Sequence, residues 1–150
     1  MLPVADGNLK DWMDQMETPG ASSEDQRRLL PKWSECLVRA LEYVHSQGVR
    51  HKDIKPANVL VKGDDVFITD FGIAKDFRDD GTTGSRGTQG SFTRLYSAPE
   101  VVTDDARRGR KADIFSLGCV MLEMAAVFLQ EPLNQFTQVG ESDGLNSHPY

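Results

Sequence analysis

The chain has 150 residues, of which 17 are Lys or Arg and 23 are Asp or Glu, so its formal net charge is −6. That length corresponds to about one domain, and a hydrophobic fraction of 39% excludes wholesale disorder. Nucleic-acid binding depends on Lys and Arg contacts to phosphates, and this mildly acidic chain has no basic block. We therefore expect no nucleic-acid partner.

Cysteine usage and apolar patterning bear on the compartment. Cys36 and Cys119 are too few for a disulfide framework, and neither lies in a metal-ligand spacing. The longest apolar stretch, 117–129, is interrupted by Glu123 and is shorter than a bilayer crossing requires. Residues 1–20 are acidic, unlike the basic and then apolar layout of a secretory signal. These features predict a cytoplasmic or nuclear protein that is not secreted and has no membrane partner.

Two helices are predicted in the first third of the chain. Asn8 is suited to cap a helix that runs from residue 9 to about residue 16, and the sequence 18–20 (Thr-Pro-Gly) ends it. Pro31 is suited to the first turn of the second helix, and Gly48 to its end. The second helix places five apolar residues on one face at helical spacing: Trp33, Leu37, Ala40, Leu41 and Val44.

A change of period after the second helix predicts a β-hairpin. The triplets 59–61 and 66–68 are β-branched or aromatic, and they flank the turn sequence 62–65 (Lys-Gly-Asp-Asp). Residues 76–93 hold four glycines among Ser, Thr, Asp and Arg, which predicts a mobile surface loop. Residues 112–128 predict a helix that is hydrophobic around most of its circumference, so we expect it to be buried on most sides.

Four short motifs follow this scaffold in order. Residues 51–58 read His-Lys-Asp-Ile-Lys-Pro-Ala-Asn in the loop after the second helix, and 70–72 read Asp-Phe-Gly after the hairpin. Residues 98–100 read Ala-Pro-Glu at the end of the glycine-rich loop, and 113–118 open the last helix. One three-residue match is weak, but all four in this order are very hard to produce by chance. The sequence therefore resembles the eukaryotic protein kinase family, specifically the larger C-terminal lobe of its catalytic domain.

The resemblance implies a fold class and a domain organisation. The expected class is α+β and mainly α-helical, a protein-kinase-like large lobe with a small β-hairpin. Residues 1–130 are expected to be a partial kinase domain, and residues 131–150 a polar irregular tail. Residues 1–5 resemble the hinge, so we expect the N-terminal β-rich lobe, which this chain lacks, in the full-length protein. The chain alone is expected to leave apolar flanks of its last helix in water and to show little phosphotransfer.

The resemblance also implies a role for each residue of the site. Asp53 matches the carboxylate that accepts or orients the proton of the substrate hydroxyl, and Lys55 matches the positive charge near the transferring phosphate. Asn58 and Asp70 match the family's Mg²⁺ ligands and supply the oxygen atoms that this ion prefers. Leu60 matches the apolar floor under the adenine ring. The expected cofactors are ATP and Mg²⁺, and the expected partner is a protein substrate with Ser or Thr hydroxyls, since Lys55 resembles the Ser/Thr-specific branch.

Further positions match supporting parts of the family's site. Thr93 matches the residue of the substrate-seating segment that hydrogen-bonds near Asp53 and Lys55. His51 is expected to pack under the loop, and Asp113 to anchor the catalytic-loop backbone rather than to react. The segment 76–94 matches the activation segment, and its hydroxyls are either phosphorylation sites or part of a solvated loop: Thr82, Thr83, Ser85, Thr88 and Ser91. Lys52 stands where most regulated members have Arg, which binds phosphate bidentately, so the resemblance leaves control by loop phosphorylation open.

Alternative functions stay open at this point. A catalytically inactive kinase-like lobe that acts as a binding scaffold is favoured by the absence of small-lobe motifs from the sequence. The enzyme is favoured by retention of the full catalytic set: Asp53, Lys55, Asn58 and Asp70. A small-molecule kinase of related fold agrees less well, because the Ala-Pro-Glu motif at 98–100 belongs to recognition of protein substrates.

Overall fold

The computed structural model of the protein describes residues 4–18, 20, 24–71, 95–99 and 109–131. The helices of this described part are α1 (Leu9–Glu17), α2 (Glu24–Arg27), α3 (Leu29–Ser46) and α4 (Arg110–Leu129). Its strands are β1 (Gly7–Asn8), β2 (Val59–Lys62) and β3 (Asp65–Ile68), which form one antiparallel sheet in the order β1-β2-β3. The predicted class, mainly α-helical with a small β-hairpin, is confirmed.

Helix α1 begins at the cap that the sequence predicts. The Asn8 side chain accepts a hydrogen bond of 2.9 Å from the backbone N–H of Asp11, which satisfies one of the unpaired donors of the first turn. The Asp11 carboxylate also lies where the helix dipole favours a negative charge. The apolar residues Leu9, Met13 and Met16 are buried, so α1 covers one side of the core.

Helix α3 carries the predicted apolar face into the core. Trp33, Leu37 and Leu41 are buried, and the Trp33 ring meets Trp12 of α1 edge-on with 4.8 Å between ring centroids. Gly48 follows the helix with a φ of 76°, a left-handed conformation that ends helices and that glycine adopts without strain. The predicted stop is therefore confirmed.

The hairpin also has the predicted position. Strands β2 and β3 pair from Val59 opposite Ile68 to Lys62 opposite Asp65, which leaves Gly63-Asp64 as a two-residue turn. Val59 is buried, whereas the neighbouring residues of β2 alternate between buried and half-buried positions. This alternation gives β2 one face toward the core and one face away from it.

Strand β1 was not predicted. Gly7 lies opposite Val61 and Asn8 opposite Leu60, so the residues just before α1 add a third strand to the hairpin. Two residues carry no readable alternation, and their strand conformation comes from pairing with β2. The pairing fixes residues 4–8 beside the strand that leads into the site.

Helix α4 crosses the described part of the chain and packs on α1 and α3. It buries four apolar residues in the core: Leu117, Val120, Met124 and Val127. Its other large apolar residues are exposed: Ile114, Phe115, Leu122, Phe128 and Leu129. The expectation of burial on most sides is therefore wrong, whereas the expected exposure of apolar flanks is observed.

The length of α4 also differs from the sequence-based expectation. Because the helix begins at Arg110, it has 20 residues, and an 18-residue window of it has a mean hydropathy of 1.9. By length and composition alone it is long enough to cross a membrane, although the stretch 117–129 suggested otherwise. In the structure 44% of that window is buried, as in the core helix of a folded domain.

Several predictions fall outside the described residues. They are the glycine-rich loop at 76–93 with its hydroxyls, the activation-segment match at 76–94, Thr93, Gly72, Glu100, the N-terminal residues 1–3 and the polar tail from residue 132 onward.

Candidate active site

The candidate site lies at the open end of the hairpin, where the loop after α3 enters β2. A single 3₁₀ turn, Pro56–Asn58, begins with a proline, whose missing N–H is no loss at a helix start. The backbone N–H of Thr69 donates a hydrogen bond of 2.9 Å to the carbonyl of Asn58. Because Asp70 follows Thr69 directly, the hairpin brings Asp70 and Asn58 to the same end of the sheet.

Three of the predicted site residues meet at one carboxylate oxygen. Asp53 Oδ2 lies 2.8 Å from Lys55 Nζ and accepts a hydrogen bond of 3.0 Å from Asn58 Nδ2. Asn58 Nδ2 also donates to the backbone carbonyl of Asp53 over 2.8 Å. The side chain of Asp53 is 12% exposed and that of Lys55 is 26% exposed, so this ion pair lies in the site rather than on the open surface.

The same contacts leave two acceptor atoms open. Because Nδ2 of Asn58 makes both donor contacts, its Oδ1 points elsewhere, and no described residue donates to it. Asp53 Oδ1 likewise has no donor among the described residues, since Lys55 and Asn58 both contact Oδ2. One amide oxygen is thus available to a hard cation and one carboxylate oxygen to an alcohol.

Asp70 is exposed and has an unusual backbone conformation. Its φ is 63°, a left-handed value that aspartate tolerates better than most residues and that is common where function fixes the chain. The structure thus places Asp70 one residue beyond the Asn58–Thr69 pair, with its side chain accessible. A shared cation between Asn58 and Asp70 stays a prediction, and the backbone path is consistent with it.

His51 joins the two loops from below, and its predicted structural role is confirmed. It is fully buried, and its ring packs edge-on against Phe71 with 4.8 Å between centroids. The N–H of Asp53 points at His51 Nδ1 over 3.3 Å, so Nδ1 is the acceptor and Nε2 carries the proton. Nε2 then donates to the carbonyl of Thr69 over 2.7 Å. The neutral ring therefore connects the Asp53 loop to the residue before Asp70.

Asp113 anchors the catalytic loop from α4, as the sequence predicts. Its two carboxylate oxygens accept hydrogen bonds of 2.9 Å from the N–H of His51 and 2.8 Å from the N–H of Lys52. Lys52 has a φ of 70°, and such a conformation costs about 1–3 kcal/mol in a residue other than glycine. The buried carboxylate satisfies both backbone donors and so holds the strained residue just before Asp53.

A second set of contacts from α4 was missed at the sequence level. The Tyr96 hydroxyl donates to Glu123 Oε1 over 2.5 Å, and the Ser116 hydroxyl donates to the Tyr96 carbonyl over 2.6 Å. Helix α4 therefore holds the segment 95–99 by one side chain and one backbone group. An acid inside an apolar helix was the available signal, because a buried carboxyl needs a partner.

Burial changes the proton affinity of this cluster. Removal from water raises the pKa of Glu123 above its usual range, although the hydrogen bond from Tyr96 acts in the opposite direction. Burial also raises the pKa of Tyr96, and the adjacent Glu123 adds to the effect. The pKa of the Cys119 thiol is raised by burial and then by the charge of Glu123. Tyr96 and Cys119 are therefore neutral groups near pH 7.

The remaining predicted ligands have more limited support. Leu60 is half-buried on the face of β2 that points away from the core, which is the face an adenine floor requires. Within the described residues, no group of three or more His, Cys, Asp or Glu side chains forms a metal site. Mg²⁺ is commonly held by one or two protein oxygens together with substrate phosphates. Asn58 and Asp70 agree with that smaller requirement.

Comparison with known sequences now adds to this geometry. The family model described as "Protein kinase domain" matches residues 3–142. The chain belongs to the protein kinase domain family. The resemblance drawn from the four motifs is therefore confirmed, and membership implies the general use of ATP and Mg²⁺.

Curated relatives of this kinase domain are serine/threonine kinases by name. The chain is 36% identical over 129 residues to CBL-interacting serine/threonine-protein kinase 16 of Arabidopsis thaliana, which covers 81% of this chain and 27% of the relative. It is 37% identical over 125 residues to serine/threonine-protein kinase PknJ of Mycobacterium tuberculosis, covering 75% of the chain and 21% of the relative. The interferon-induced, double-stranded RNA-activated protein kinase of Rattus norvegicus is 31% identical over 119 residues, which are 79% of the chain and 22% of that protein. The chain thus spans about a quarter of the length of these relatives.

Proposed function

We propose that the full-length protein carrying this chain is an ATP-dependent serine/threonine protein kinase that transfers the γ-phosphate of ATP to protein hydroxyls. The observation that carries the proposal is the arrangement at Asp53. Its Oδ2 is held by Lys55 and Asn58, and its Oδ1 is open to an incoming alcohol. Family membership and the names of the relatives support the same reaction class.

The proposed chemistry uses positioning and charge more than covalent help. The oxygen of a Ser or Thr hydroxyl attacks the γ-phosphorus, and the bond from that phosphorus to the β,γ-bridging oxygen breaks, so ADP leaves. The hydroxyl hydrogen-bonds to Asp53 Oδ1, which orients it and receives its proton. Lys55, 2.8 Å from Asp53 Oδ2, keeps a positive charge beside the transferring group.

Asn58 and Asp70 are the residues that would hold Mg²⁺ in this proposal. The open Oδ1 of Asn58 and the exposed carboxylate of Asp70 are both hard oxygen donors. When bound, the ion neutralises negative charge on the phosphates. Leu60 would supply the apolar surface under the adenine ring.

The test is phosphotransfer by the full-length protein from γ-labelled ATP to a library of Ser/Thr peptides. Asp53→Asn keeps the shape of the side chain but removes its basicity, so we expect turnover to fall by roughly 10²–10⁴-fold. Asp64→Asn is a matched control, because Asp64 is an exposed acid at the opposite end of the same hairpin. No transfer by the wild-type protein would favour the scaffold alternative. Equal turnover by wild type and Asp53→Asn would remove Asp53 from the reaction.

A further inference from the structure

Asp113 has a third hydrogen-bond partner, which lies outside the catalytic loop. His45, in the last turn of α3, places its Nε2 2.9 Å from Asp113 Oδ2. The side chain of His45 is 11% exposed and that of Asp113 is 1% exposed, so the contact is shielded from water. An ionised carboxylate only accepts hydrogen bonds, and His45 Nε2 is therefore the donor.

The contact from His45 determines how the carboxylate is turned. Rotation about the terminal bond of an aspartate side chain is broad and soft, so the bond itself selects no orientation. Both oxygens of Asp113 are used by the loop, Oδ2 for the N–H of His51 and Oδ1 for the N–H of Lys52. Because the two oxygens belong to one rigid plane, any rotation weakens both loop contacts at once. The donor on His45 opposes that rotation from the α3 side.

The path from the carboxylate to the proposed base is short. Asp113 holds the N–H of His51, and His51 Nδ1 accepts from the N–H of Asp53 over 3.3 Å. Asp113 also holds Lys52 at its left-handed φ of 70°, one residue before Asp53. A displacement of about 1 Å at a catalytic group is enough to lower a rate by roughly 10²-fold.

We propose that His45 is a positioning residue for phosphoryl transfer. Its Nε2–H fixes the Asp113 carboxylate, which in turn holds the strained backbone that presents Asp53. This inference rests on the proposed function and extends it, because it makes the end of α3 part of the support of the catalytic loop. None of the four kinase motifs includes His45.

The experiment compares two replacements of similar length in the full-length protein. His45→Gln keeps an N–H donor near the position of Nε2, whereas His45→Met keeps the length and removes the donor. We expect His45→Met to lower kcat by roughly 10–100-fold with the KM for ATP almost unchanged, and His45→Gln to restore most of it. Glu42→Met, an exposed position on the same helix, is the control and should behave as wild type. The Tm of each variant is measured beside its kinetics.

Asp53→Asn is assayed in the same series, so that the two proposals fail separately. If Asp53→Asn loses transfer while His45→Met keeps the wild-type kcat, the positioning role is overturned and the kinase function stands. If Asp53→Asn retains full transfer, the proposed function itself is overturned. Equal losses of kcat in His45→Met and His45→Gln also overturn the positioning role, because the donor then has no effect. Should His45→Met not fold, His45→Gln decides: near-wild-type kcat supports the role, and a tenfold loss at unchanged Tm overturns it.

Discussion

The two ends of the β2–β3 hairpin use their polar groups in different ways. At the turn end, Gly63 donates its N–H to the carboxylate of Asp6 over 2.7 Å. The carbonyl of Asp64 accepts from Trp33 Nε1 over 2.9 Å and from Lys32 Nζ over 3.0 Å. These partners all come from outside the hairpin, so the turn is fastened to the N-terminal strand and to α3.

The open end of the hairpin leaves acceptors unused and keeps strained backbone. Among the described residues, Asp53 Oδ1 and Asn58 Oδ1 have no donors, and both Lys52 and Asp70 have left-handed φ values. Strain of this kind persists only where the surrounding structure enforces it, and it concentrates at functional sites. The comparison teaches that one end of the hairpin is fixed by structural contacts while the other end keeps its oxygens for ligands.

The largest effect outside the base itself is expected when the anchor of the open end is removed. Asp113→Asn keeps one carbonyl oxygen but turns an N–H₂ group toward backbone donors. We expect kcat of the full-length protein to fall by roughly 10-fold or more, and the free energy of unfolding to fall by about 1–3 kcal/mol. Steady-state kinetics and chemical denaturation measure the two losses. Wild-type kcat in a folded Asp113→Asn protein would show that the loop needs no anchor.

A smaller effect, confined to stability, is expected at the turn end. Trp33→Phe removes the hydrogen bond to Asp64 and part of the packing against Trp12. We expect the free energy of unfolding to drop by about 1–3 kcal/mol, while kcat stays within about twofold of wild type. Denaturation midpoints and kinetics of the same preparation measure both. A larger loss of kcat than of stability would mean that the two ends of the hairpin are not independent.

The smallest effect is expected from a pH dependence at Glu123. Burial raises the folded-state pKa of Glu123 above its ordinary value of 4.5, so the folded protein binds this proton more tightly than the unfolded chain does. The contribution of Glu123 to stability therefore decreases as pH rises from about 4.5 through the raised pKa.

Glu123→Gln keeps the shape of the side chain and cannot ionise. Its stability relative to wild type should increase as pH rises through that window, which urea denaturation at a series of pH values measures. A difference that stays constant with pH would show that Glu123 titrates normally in the folded protein. Glu131→Gln, an exposed acid just after the same helix, is the control.

Local signals in the sequence predicted much of the fold and part of the site. The cap at Asn8, the stop at Gly48 and the turn at Gly63-Asp64 depend on neighbouring residues, and each is where the sequence predicts it. The role of Asp113 and the packing of His51 were expected from the kinase motifs. What is written within a few residues, or within a known motif, was therefore available before the structure.

The features that were missed depend on contacts between distant residues. His45 and Asp113 are 68 residues apart, and Tyr96 and Glu123 are 27 apart, so no periodicity links either pair. Strand β1 exists because β2 is beside it. The exposure of α4 likewise depends on which elements cover it, and its all-round apolar pattern does not specify them.

The central claim is that Asn58 and Asp70 serve one Mg²⁺–nucleotide site beside Asp53. The most direct measurement is the Kd of the full-length protein for a non-hydrolysable ATP analogue, with and without Mg²⁺, in wild type, Asp70→Asn and the Asp64→Asn control. We predict that Mg²⁺ tightens binding to wild type and to Asp64→Asn, and that this gain largely disappears in Asp70→Asn. An equal gain from Mg²⁺ in all three proteins would contradict the assignment of Asp70 to the site.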